Sequence, residues 1–158
     1  MPIIDSPQRQ AQYRLAGRSP HRQLRWTAIA LAIGFALHAA DHVHRGMAAA
    51  TMLVMIGGAA EAVSIATAVT MVLTRRKWAA QAAIVVGFGS ALASTYGHLL
   101  PTFLPGFQDS FISPPHLGVT WFSWVSLAAA MGAGILFGFV GIRAARNLPP
   151  EGVNGPGA

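Results

Sequence analysis

Residues Leu37 to Gly46 read LHAADHVHRG, so three imidazoles and a carboxylate, His38, Asp41, His42 and His44, fall within seven positions at the end of an apolar segment. In a helix His38 and His42 are one turn apart and Asp41 is three residues from His38. These three therefore share a face, while His44 points elsewhere. Two imidazoles at that spacing begin a metal site when neighbouring helices complete it. Imidazole and carboxylate donors suit a transition metal ion, namely zinc, iron or copper.

The remaining donors come from two other apolar segments. Glu61 stands alone within MLVMIGGAAEAVSIATAVTMVL, where inserting a charged side chain into a bilayer costs on the order of 3 kcal/mol and demands a partner. Counting helical rise from Trp26, Arg75 and Trp78 puts His38 about 18 Å above the basic boundary, Glu61 about 21 Å, His42 about 24 Å and His98 about 30 Å. His38, His42, Glu61 and His98 are thus expected as metal ligands, with Asp41 orienting one imidazole from behind. His44, Asp109 and His116 are further candidates at the same end, and Met52 and Met55 would add thioethers that favour copper. The pattern H-x2-D-H-x-H lacks the glutamate of H-E-x-x-H. One core carboxylate is also too few for a carboxylate-bridged di-iron centre.

Such a site predicts a metal-dependent membrane oxidoreductase or hydrolase. Three other readings compete with it. A b-type haem held between His42 and His98 is one, with Gly34, Gly87 and Gly89 making room for the porphyrin. A proton- or cation-responsive transporter or channel subunit without cofactor is another, since His and Glu titrate near neutral pH in such settings. The last is a non-catalytic accessory subunit of a larger membrane complex.

The elements that position these residues follow from composition. Of 158 residues, 53% are hydrophobic and only 10% charged, a balance that makes the lipid bilayer the solvent. Four apolar runs, 26–43, 47–73, 78–100 and 117–142, are long enough to cross about 30 Å of hydrocarbon. An all-α, integral membrane four-helix bundle is therefore expected over 25–146. The pI near 11.4 is a topology label rather than a nucleic-acid signal, because ten of the eleven Lys and Arg residues lie before span one, between spans two and three, or after span four. Only Arg45 lies on the other side. That asymmetry predicts both termini in the cytoplasm and the His-rich end outside, in the plasma (inner) membrane of a bacterium.

Residues 1–24 and 147–158, rich in Pro, Gly and polar residues, read as a disordered basic arm and a disordered tail. A cleaved signal peptide is not expected, given the long basic leader. The outer segment 101–116 carries Phe103, Phe107 and Phe111 at helical spacing between prolines, which predicts either a short amphipathic helix acting as a lid or a Pro-rich interfacial loop. In span four Ala130, Gly134 and Gly138 form a small-residue ladder suited to close helix contact. That ladder serves either intramolecular packing or a homo-oligomer or larger complex through the Gly134/Gly138 face. The absence of cysteine excludes thiolate metal sites, iron–sulfur clusters and covalently attached haem.

Overall fold

The computed structural model describes residues 7–46, 51–104, 106–113 and 118–147, with side chains from residue 20 onward. Four helices make up the bundle: α1 (Pro7–Arg45), α2 (Met52–Leu73), α3 (Ala79–Ser94) and α4 (Trp121–Arg146), with a π-helical turn, Thr95–Leu99, extending α3. Over Pro20–Arg45, Met52–Leu73, Ala79–Leu99 and Trp121–Arg146 they are long and apolar enough to cross a membrane. The expected spans are thus present, with ends shifted by a few residues. His116, and residues 47–50 that were expected to open span two, lie outside the described residues.

α1 begins at Pro7, inside the stretch expected to be disordered. The residue types explain this: Pro pre-sets the first helical turn, and the Gln, Arg, Ala and Leu that follow are strong helix formers. α1 ends where Gly46 takes a left-handed conformation, φ 81°, and its N–H returns to the His42 carbonyl at 3.1 Å. α2 starts with Thr51, whose hydroxyl accepts from Val54 N–H at 3.3 Å.

The first and last helices are close neighbours: α4 packs extensively on α1 and α3, and α2 touches the same two helices more lightly. The tight seams rest on residues without side chains. A Cβ on Gly87 would lie 2.5 Å from the Gly134 carbonyl oxygen, and one on Gly34 3.0 Å from that of Ala129. The small-residue ladder of α4, expected either for packing within the chain or as a surface for another, packs within the chain, with Gly138 against Phe88 and Gly134 against Gly87 and Ala91 of α3, and Ala130 against Gly34 of α1.

The two halves of the bundle differ in content. At the basic end Leu24, Ala28, Leu31, Ile65, Ala68, Val72, Ala79, Ala83, Phe137 and Val140 form one apolar cluster. Apart from Thr27, the buried polar residues lie toward the other end, among them His38, Asp41, Ser90, Ser94, His98, Asp109 and Ser123. Trp26, Trp78, Trp121 and Trp124 are all exposed near span ends, as interfacial tryptophans are.

Candidate metal centre

Two helical segments bring three imidazoles together. His38 and His42 come from successive turns of α1, and His98 from the π-helical turn of α3. The rings touch one another, with centroids 4.7 Å apart for His38 and His98, 4.9 Å for His38 and His42, and 5.4 Å for His42 and His98. One nitrogen from each lies within 4.8 Å of the others. His38 and His98 are buried, and His42 is partly so.

Heights counted from Trp26 and Trp78 separate His38 from His98 by about 12 Å, yet their Nε2 atoms are 3.0 Å apart. The two tryptophans are not a common datum: α1 continues well below Trp26, whereas Trp78 caps α3. The π-helical turn adds a local change of pitch at His98 that residue counting cannot anticipate.

His98 is held from behind. Its Nδ1–H donates to the backbone carbonyl of Asp109 at 2.8 Å, which leaves the Nε2 lone pair toward His38. The neutral pair is completed if His38 Nε2–H donates to that lone pair. His38 Nδ1, buried and without a hydrogen-bond partner, is then a bare acceptor.

The segment after α3 supplies this support. The last carbonyls of a helix have no partner in the helix itself. Here Gln108 Nε2 donates to the Tyr96 carbonyl (2.9 Å), Asp109 N–H to Gly97 (3.0 Å), Phe111 N–H to His98 (2.8 Å) and the Ser110 hydroxyl to Leu100 (2.8 Å). Gln108 Oε1 also accepts from Phe103 N–H at 2.7 Å. The described residues 101–104 and 106–113 therefore form an irregular loop and not the amphipathic helix, because their hydrogen bonds go to the end of α3. Phe103 and Phe107 stay exposed, and Phe111 is buried against His98 and Trp124.

Arg45 ties the cluster together. Its Nε donates to Asp41 Oδ2 at 3.0 Å, and its two terminal nitrogens grip both carboxylate oxygens of Asp109, Nη1 to Oδ1 at 3.1 Å. Bidentate pairing of this kind fixes geometry as well as charge. The Ser123 hydroxyl donates to Asp41 Oδ1 at 2.7 Å, which brings α4 into the network. The guanidinium also lies over the Phe111 ring, 5.0 Å from its centroid. One guanidinium against two carboxylates leaves an excess negative charge beside the imidazoles, and His42 Nδ1 is 3.6 Å from Asp109 Oδ2.

The expected ligand set is thus partly assembled. Glu61 is not in the cluster: Ser90, eight residues before His98 on α3, donates its hydroxyl to Glu61 Oε1, so the carboxyl lies about 12 Å toward the basic end. Asp41 touches no imidazole, because Arg45 and Ser123 occupy both of its oxygens; Asp109 holds the position behind the rings. His44 is exposed, and so is Met52. The role of Arg45 was missed, although a lone cation four residues after Asp41 at an otherwise cation-free end is a readable signal. With the His42 and His98 centroids 5.4 Å apart and the third ring wedged against both, no slot remains for a porphyrin between them.

A chamber of about 620 Å³ opens beside the imidazoles, between α1, α3 and the loosely packed half of α2. His38, His42 and His98 line one end of it, Glu61 and Ser94 line it deeper, and the walls between include Phe35, Val54 and Ala62. No family model matches this chain, and comparison with curated proteins and with solved structures finds no match.

Proposed function

We propose that His38, His42 and His98 bind one transition metal ion and that the protein is a metal-dependent membrane enzyme acting on a lipid-soluble substrate in the adjoining chamber. The observation that carries this reading is the convergence of three ligand nitrogens within 4.8 Å at the chamber wall. The 3.0 Å between the Nε2 atoms of His38 and His98 matches the edge of a coordination shell, since nitrogens about 2.1 Å from one ion lie about 3.0–3.4 Å apart. The residual negative charge of the Arg45 network favours a cation. The Asp109 carbonyl behind His98 is the kind of outer support that fixes a ligand's tautomer.

Three imidazoles leave a coordination position open toward the chamber, the arrangement of catalytic rather than structural zinc sites. A bound ion there would activate water or oxygen, or polarise a substrate carbonyl. The residues themselves hold the rings, exclude bulk water with Phe111, and admit an apolar molecule beside them. The charge asymmetry along the chain supports a site facing the extracytoplasmic side. A conducting pathway has less support, since the apolar cluster from Leu24 to Val140 closes the basic half.

The test is the metal content of the full-length protein purified in detergent. One zinc, iron or copper per chain is expected, lost in the His38→Ala, His42→Ala double variant and in His98→Ala, and retained in His44→Ala. Acidification is expected to release it, because ligand imidazoles must be neutral. Protein that stays metal-free after reconstitution with each of the three ions overturns the proposal.

A further inference from the structure

The chamber has a second polar pole that the metal reading does not use. Glu61 lines it deep in the bundle, and Ser90 and Ser94 share the same buried face of α3 as His98, at successive four-residue steps. Ser90 satisfies one carboxyl oxygen; among the described residues Glu61 makes no other hydrogen bond. Between the two poles the walls are mostly apolar, Phe35, Val54, Ala62 and Ala93, interrupted by Ser94. A cavity of this volume, apolar along its length with a few convergent polar atoms, is the form of a small-molecule site.

We propose that Glu61, backed by Ser90, is the specificity-determining residue for an elongated lipid-soluble ligand that carries a hydrogen-bond-donating group, a hydroxyl or amine, at one end. That end docks on Glu61, and the apolar chain runs about 12 Å toward the imidazoles. The donor requirement follows from what Glu61 lacks. A pure hydrocarbon leaves its second oxygen unsatisfied in an apolar wall, and an ionised carboxylate tail sets like charges face to face. This inference deepens the proposed function of the same chamber, yet metal and ligand bind at opposite poles and are measured separately.

The experiment compares decanol, decylamine, decane and decanoate as ligands of the full chain in nanodiscs, with occupancy read by native mass spectrometry. Decanol or decylamine is expected to bind about tenfold more tightly than decane or decanoate, the worth of one well-made buried hydrogen bond. Decanol alone identifies a hydroxyl ligand, and decylamine alone an amine. Glu61→Leu is expected to erase the preference while leaving metal content unchanged, which also reports that the variant folds. Ser90→Ala, which keeps the carboxyl, is expected to retain it. Equal binding of decane and decanol by the wild-type protein overturns the inference whatever the variants do, and so does a donor preference that survives in folded Glu61→Leu. Loss of metal with the preference intact would defeat the metal reading alone.

Discussion

Glycines line both the α3–α4 seam and the wall of α2 beside the chamber, and they do opposite things. At Gly87 a Cβ would press on two backbone atoms of α4, 2.5 Å from the Gly134 oxygen and 2.6 Å from the Gly138 nitrogen. At Gly57 and Gly58 a Cβ would meet nothing within 4 Å. In the first place the missing side chain draws two helices into contact; in the second it leaves room. Burial follows the same division: 44% of the apolar stretch of α4 is buried, against 11% of that of α2. The bundle is a tight three-helix frame of α1, α4 and α3, with α2 sealed to it at the basic end by Ile65, Ala68 and Val72 and standing apart at the other.

The strongest way to break this contrast is Gly87→Leu. With backbone on both sides the side chain cannot be accommodated, and a loss of about 3 kcal/mol or more is expected, seen as failure to purify a monodisperse bundle or a collapse of its denaturation midpoint. Asp41→Ala comes next. It strips Arg45 and Ser123 of a buried partner at an expected cost of about 2–3 kcal/mol. The damage is confined to one end: amides 120–124 lose hydrogen-exchange protection and metal is lost, while the protection of α3 and α4 toward the basic end is kept. Protection lost evenly along both helices would show that the frame is one cooperative unit. Gly58→Leu has the smallest effect on stability, less than about 1 kcal/mol, because its side chain enters open space. It is expected to leave metal content intact and to reduce decanol occupancy by filling the chamber. A large destabilisation there would mean that the chamber closes in solution.

Much of this frame could be read from the chain. Four apolar runs and the spacing of His38 and His42 are local properties, and locality is what a sequence displays. The inclusion of His98 followed from the scarcity of polar groups in the spans, since an imidazole in lipid needs company. What escaped were properties of backbone geometry. The π-helical turn at Thr95–Leu99 has no composition of its own, and residue counting therefore misplaced His98. Glu61 was paired with the wrong partner for a similar reason: the height of Ser90 matched it, but a serine carries no alarm in an apolar helix. Asp109 had too little around it in PTFLPGFQDSFISPP to show that its carbonyl, as much as its carboxylate, is what the centre needs.

The Arg45 junction also imposes an order on biogenesis. A chain is made and inserted from its N-terminus, so Arg45 enters the membrane interface with Asp41, one helical turn away, already on the same helix. Asp109 follows 64 residues later, and Ser123 arrives 82 residues after Asp41. Until then the Asp109 carboxylate is missing from the junction, and His98 comes 60 residues after His38. Docking of the 106–113 loop on the end of α3 therefore delivers the carbonyl behind His98 and the second carboxylate in one late event, so the imidazole cluster lacks its backing until that loop is made.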